Sequence, residues 1–202
     1  MTVYIWTKPK DHPQKLIGIY QDEHEQGDSP DRFLFNKGIY LTDTQMFPQP
    51  TIVYKVPKAR LLPFDSLATH ITATPLVNQR LGNLLKALAP NDIQLFDVKV
   101  ECVDGELPGY QIINLTHKEA FVDREQSEYT TLNLSGGIKM ICIIKHLVVK
   151  AGCLATHHLA RGEELGVILM SQSLRDAFKQ AKITGVWLPT APEYFRAARG
   201  LG

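Results

Sequence analysis

The chain has 202 residues, of which 44 % are hydrophobic and 21 % charged. That is an ordinary globular composition, large enough to bury a core without help from disulfides or metals. Its 22 Lys and Arg against 21 Asp and Glu leave a net charge of +1, which argues against a nucleic-acid binder, because displacing counterions from phosphates needs a basic face.

The opening MTVYIWTKPKDHP has no basic stretch followed by an apolar one, so it does not read as a signal peptide. No apolar run reaches the roughly 18–20 residues of a membrane span, and the longest, residues 138–149, is interrupted by Lys139, Lys145 and His146. A cytoplasmic location without a membrane partner is the expectation. Residues 3–6 and 16–20 read as short strands. Between them and the next apolar run lies QDEHEQGDSPD, whose Asp22, Glu23, Glu25, Asp28 and Asp31 flank Gly27 and Pro30, the composition of an exposed acidic loop. Residues 33–42 read as a hairpin turning at Asn36, Lys37 and Gly38, and residues 52–56 as a strand followed by a linker punctuated by Pro57, Pro63 and Pro75.

The first helix is expected over residues 76–89, where Val77, Leu81, Leu84, Leu85 and Leu88 fall on one stripe, with Asn78 as N-cap and Pro90 as terminator. Residues 93–103 alternate as a strand that shifts phase near Asp97, and residues 110–115 give another strand. Residues 119–128 form a charged connection, and 129–134, 138–149 and 166–170 are further β-structure. A second helix is expected over 172–182, capped by Ser171 with Leu174, Ala177, Phe178 and Ala181 inward, followed by a last strand over 183–188 and one amphipathic turn through Tyr194 and Phe195. A shift of 93 positions aligns Val77 to Leu81 with Met170 to Leu174, and Ile93 to Leu95 with Val186 to Leu188. Chance similarity and a repeated helix–strand unit both remain open for that echo. The fold class is therefore α+β, a mixed or mainly antiparallel sheet carrying two principal helices, with a β-rich segment over residues 1–60 and a main domain over 61–202.

Chemistry-bearing patterns are sparse. Cys102, Cys142 and Cys153 lack CxxC spacing and read as neither a disulfide framework nor a zinc site. Cys102 and Cys142 lie in apolar runs that suggest burial, and Cys153 follows Gly152 in a turn that suggests more exposure. His157 and His158 are adjacent, and adjacent side chains on a strand point to opposite faces, so they do not form a chelating pair. No metal and no cofactor are expected. The segment Gly38 to Asp43 resembles the Gly-x-Tyr-x-Thr strand of mono-ADP-ribosyltransferases, which would make Tyr40 a nicotinamide contact with His12 and Glu101 as candidate partners. An aromatic and a Thr in a hairpin also serve plain packing. In Asp123-Arg124-Glu125-Gln126-Ser127-Glu128, paired carboxylates suit acid–base work, while the simpler reading has Asp123 and Ser127 holding a tight connection and Glu125 and Glu128 facing water.

An ordered set of short motifs carries a resemblance. A strand holds Ile113, Asn114 and Leu115; Asp123, Glu125 and Ser127 follow as Asp-x-Glu-x-Ser; the end carries Ile183, Thr184, Gly185 and Val186. This resembles the eleventh class of immunity proteins of bacterial polymorphic toxin systems, where a Leu-Asn-Val strand, an Asp-x-Glu-x-Ser element and a Leu-Thr-Gly-Val strand occur in this order. The likeness covers roughly residues 70 to 190. It implies a toxin inhibitor in interbacterial competition, which binds a cognate toxin and occludes its active domain, with no catalytic residues. Many such toxins are nucleases with basic clefts, so acidic groups would steer association. Asp22, Glu23, Glu25, Asp28 and Asp31 are the first candidates for partner binding, and Glu125, Glu128, Glu163 and Glu164 the second. An ADP-ribosyltransferase-like enzyme and a self-associating scaffold are the alternatives.

Overall fold

The computed structural model describes residues 2–21, 29–71, 73–133 and 139–198. In chain order the elements are β1 (Tyr4–Trp6), β2 (Ile19–Tyr20), β3 (Thr51–Tyr54), β4 (Ser66–Leu67), β5 (Leu76–Asn78), α1 (Gln79–Leu88), β6 (Ile93–Asp97), β7 (Lys99–Cys102), β8 (Gly105–Glu106), β9 (Tyr110–Leu115), β10 (Lys118–Glu119), β11 (Glu128–Asn133), β12 (Lys139–His146), β13 (Leu159–Gly162), β14 (Ile168–Met170), α2 (Gln172–Gln180) and α3 (Ala191–Ala198). The strands form sheets of order β2-β3-β7-β8, β4-β5-β9-β6 and β1-β14-β13-β10, plus the ribbon β11-β12. Pairing is antiparallel except at β3–β7 and β10–β13. The fold is α+β with mixed and antiparallel sheets.

Side-chain alternation builds the layers. In β9, Tyr110 and Ile112 enter one apolar cluster with Tyr20, Ile52, Tyr54 and Val100, while Ile113 and Leu115 enter a second. The second cluster holds Leu81 and Leu85 of α1, Leu174 and Phe178 of α2, and Tyr4, Trp6, Ile168 and Met170. The intervening residues Val3, Ile5, Val167 and Leu169 point the other way, into a third cluster with Ile141 and Ile144 of the ribbon and Tyr194 and Phe195 around α3. Two of the sheets are thus covered on both faces, so with a period of two their strands are apolar at most positions, and buried Asn114 in β9 is held by hydrogen bonds. That explains why residues 110–115 and 166–170 read as nearly continuous apolar runs.

Both expected caps form. The Asn78 side chain accepts from Leu81 N at 3.0 Å, and Ser171 Oγ from Leu174 N at 3.3 Å. The first helix, however, starts at Gln79, since residues 76–78 are extended and pair with both β4 and β9. Strand–cap–helix therefore recurs as β5–α1 and β14–α2, but the echo stops there. Residues 183–188 form no strand, only a bridge from Trp187 to Thr7. Their backbone is committed elsewhere: Thr184 N donates to Asp65 Oδ2 at 2.8 Å, and Gly185 lies against Ser66 with φ +79.

The hairpin expected over 33–42 is replaced by two 3-10 turns, Arg32–Asn36 and Asp43–Met46. Asp31 accepts from Phe33 N at 2.8 Å and Thr42 with Gln45 makes a capping box, so local side chains satisfy the amides that a ladder would have used. The phase shift near Asp97 is a change of sheet, from β6 to β7. Residues 159–162, for which no strand was expected, are β13, and the tail is the two-turn helix α3. Cys142 is exposed and Cys153 buried, the reverse of their expected places, because a bulge in β12 turns Cys142 outward and the turn at Cys153 is tucked under the third cluster. Leu134 and Ile138 of the expected strands, and residues 22–28 of the acidic loop, lie outside the described residues.

Asp65 ties the layers together. Its carboxylate accepts from Arg80 Nε at 2.9 Å and Nη2 at 2.6 Å, from Asn78 Nδ2 at 2.9 Å and from Thr184 N. Burial works to raise its pKa, but the bonds from Arg80, Thr184 and Asn78 more than reverse this and hold the carboxyl well below the usual carboxylate range.

Candidate functional site

Asp92 stands between Pro90, which ends α1, and the first residue of β6. Its side chain is 6 % exposed. Oδ2 accepts from His158 N at 2.6 Å and Leu159 N at 3.0 Å, which fixes the start of β13 against β6. Oδ1 faces two imidazoles, His157 Nδ1 at 2.9 Å and His117 Nε2 at 3.8 Å. The two rings stack with centroids 3.8 Å apart, and Glu119 Oε1 lies 3.7 Å from His157 Nε2. One donor atom each from Asp92, His117 and His157 fall within 4.8 Å of one another, a spacing that can hold a metal ion.

The adjacent histidines, in the turn that leads into β13, part company. His158 turns to Ser171 Oγ at 2.9 Å and Ser173 Oγ at 3.1 Å, on the side away from Asp92. Sequence reasoning therefore set the adjacent pair aside and missed the partner of His157, His117, which comes 40 positions earlier in the connection between β9 and β10. No local spacing signals such a meeting; it follows from β9 and β13 converging.

The motif residues behind the resemblance lie in the scaffold. Asn114 donates to Ile39 O at 2.8 Å and to Gln94 Oε1 at 3.0 Å. Asp123 Oδ1 accepts from Glu125 N and Gln126 N, both at 3.1 Å, while Ser127 Oγ exchanges bonds with the amide and carbonyl of Val148. Thr184 and Gly185 close on Asp65 and Ser66. Each motif holds one junction.

Of the acidic candidates, Asp22, Glu23, Glu25 and Asp28 lie outside the described residues. Asp31 is exposed and caps the first 3-10 turn. Glu125 and Glu163 are exposed, Glu128 pairs with Lys145 at 3.2 Å, and Glu164 accepts from Phe121 N at 3.1 Å and Val122 N at 3.4 Å. They sit on three separate segments. Tyr40 is on no strand, its hydroxyl donates to Asn91 O at 3.1 Å, and Glu101 pairs with Lys99 at 2.6 Å, while His12 Nε2 meets Leu16 O. The aromatic strand expected of an ADP-ribosyltransferase-like site is therefore not formed there.

Two surface features remain. A cleft of about 250 Å³ is lined by Trp6, Lys8, Thr69, His70, Thr74 and Tyr194 among others, with no Asp, Glu or Cys among the described residues at its wall. The ribbon presents a second. Pairing sets Thr130 opposite Ile143 and Leu132 opposite Met140, so these four share its outer face. Leu132, Met140 and Ile143 are 51 %, 44 % and 52 % exposed, whereas Ile141 and Ile144 on the inner face are buried.

No helix among the described residues is long and apolar enough to cross a membrane. No curated protein matches the chain. The model of the immunity protein family Imm11 matches residues 4–192, a span that takes in the core strands, the capped helices and every motif junction described above. The chain belongs to the Imm11 immunity protein family.

Proposed function

We propose that this protein neutralises a cognate toxin by binding it and covering its active domain, without chemistry of its own, in the cytoplasm of a cell that competes through a polymorphic toxin system. The family match over residues 4–192 carries this reading. It is supported by the placement of the motif residues, which hold the scaffold and leave recognition to the surface.

The outer face of the ribbon is the proposed contact. Three exposed aliphatic side chains on one two-stranded surface make an apolar centre, and exposed Glu125 and Glu128 at its root supply a polar rim. Asp22, Glu23, Glu25, Asp28, Asp31, Glu163 and Glu164 are proposed to add steering toward a basic toxin, with Glu164 doing so less directly because it already holds two backbone amides. Occlusion needs only a rigid scaffold and a complementary surface, and the doubly covered sheets provide the rigidity.

The test is co-expression with the toxin encoded beside this gene. Survival that depends on this protein supports the reading; equal killing with and without it refutes the reading. The contact is tested separately. Changing Leu132 and Ile143 to Asp should raise the dissociation rate by about thirtyfold or more, the effect of losing a central apolar anchor, with the melting temperature unchanged. An unaltered rate would move the contact off the ribbon.

A further inference from the structure

We infer that Asp92, His117 and His157 form a binding site for one divalent transition-metal cation of the zinc class, clamping the β9–β6 sheet to β13. Two imidazole nitrogens and one carboxylate are the ligand set that zinc and its neighbours take, whereas calcium and magnesium favour oxygen alone.

The distances fit. With bonds of about 2.0–2.1 Å and tetrahedral angles, zinc donors lie about 3.3 Å apart. Asp92 Oδ1 is 2.9 Å from His157 Nδ1 and 3.8 Å from His117 Nε2, values that bracket this separation. Both carboxylate–imidazole separations reach this value with shifts of about half an ångström, and the two ring nitrogens, within 4.8 Å of each other, are brought to it as the rings open from their stack.

The surroundings are prepared for it. Asp92 is fixed by two backbone amides through Oδ2, which leaves Oδ1 to the imidazoles. With a cation on His157 Nδ1, the ring carries its proton on Nε2, toward Glu119 Oε1 at 3.7 Å. A small rotation that brings them into hydrogen-bond distance gives the carboxylate–histidine–metal arrangement that orients ligand rings. His117 Nε2 also reaches Asn91 O at 3.1 Å, but that carbonyl already accepts from Thr116 Oγ1 at 2.8 Å and Tyr40 OH at 3.1 Å. A carbonyl has two lone pairs, so His117 is released without orphaning it. Two carboxylates against two neutral imidazoles leave a charge of −2 for a dication. The His117 and His157 side chains are 29 % and 24 % exposed, so the ion has a path in and a coordination position open to water.

The experiment uses tag-free, chelator-stripped protein titrated with Zn²⁺ against a competing indicator, with Co²⁺ absorption as a second probe. One equivalent should bind with micromolar or tighter affinity and raise the melting temperature. His117→Gln and His157→Gln should each abolish saturation and the thermal shift, and Glu119→Gln should weaken binding by about 10–100-fold. His158→Gln should leave binding unchanged, since its ring faces Ser171. Circular dichroism confirms that each variant is folded. Failure of the wild type to saturate by millimolar metal, or unchanged binding in the His117→Gln/His157→Gln double variant, overturns the inference. Neither outcome bears on toxin neutralisation.

Discussion

Replacing Asp65 by Asn probes the junction on which three parts of the chain converge. The carboxylate takes bonds from Arg80, Asn78 and Thr184, and Arg80 also donates to Ala181 O at 3.0 Å and Lys182 O at 3.1 Å. Asn keeps one oxygen but turns an NH₂ toward donors, so about half of these partners lose their acceptor. Breaking a buried charged pair costs about 3–5 kcal/mol. The Arg80 side chain is 54 % exposed against 8 % for Asp65, so Arg80 can swing to water, which brings the expected loss to about 2–4 kcal/mol. For a chain of this size that is roughly 4–16 °C in melting temperature. The effect must also depend on pH. The folded carboxyl is held below its unfolded value of about 3.9, so its stabilisation is complete above that pH and lost as pH falls toward the folded pKa. Thermal melts by circular dichroism at pH 7 and near pH 3 should show a wide gap between wild type and variant that narrows in acid. A gap under about 2 °C at neutral pH, or one that stays constant, refutes the reasoning.

Gly185→Ala should abolish soluble expression, because an added Cβ would meet Ser66 O at 2.1 Å with φ at +79; Gly152→Ala, at φ +67 with nothing within 4 Å, should cost only about 1 kcal/mol. Ser171→Ala removes the α2 cap and should lower the melting temperature by about 2–4 °C, for a loss of about 1 kcal/mol. A thiol reagent on native protein should label Cys142 first, since Cys142 is exposed, whereas burial pushes the thiols of Cys102 and Cys153 up. Mass spectrometry of quenched samples reads the order, and Cys153 reacting first would contradict the burial.

What was legible in the sequence is what short range determines. Asn78 and Ser171 announce helices because an N-cap bond closes within three residues, and Leu81, Leu85, Leu174 and Phe178 follow the helical period. Asp123 and Ser127 could be read as a tight connection for the same reason. Partition between sheets was not legible. The phase break at Asp97 marks β6 leaving one sheet and β7 joining another, yet the same break fits a bulge. Residues 183–188 are apolar enough for a strand, but Thr184 and Gly185 answer to Asp65 and Ser66, about 119 positions away. The Asp92–His117–His157 cluster is of this kind too: three residues on three segments, invisible until β9 and β13 are placed.

The same distinction bears on where recognition lies. A binding surface that must discriminate among toxins is freest to change where no core contact depends on it. Asn114, Ser127 and Thr184 are each bonded to a distant backbone atom, Gly185 packs on Ser66 and Asp123 closes its own turn, so altering any of them disturbs a junction. Leu132, Met140 and Ile143 project from a two-stranded ribbon that Ile141, Ile144 and half-buried Tyr129 anchor to the core. Outer and inner sets alternate along the same strands, so one face can be rewritten while the other keeps the fold. That separation suits the proposed inhibition by occlusion, because new specificity then costs little stability.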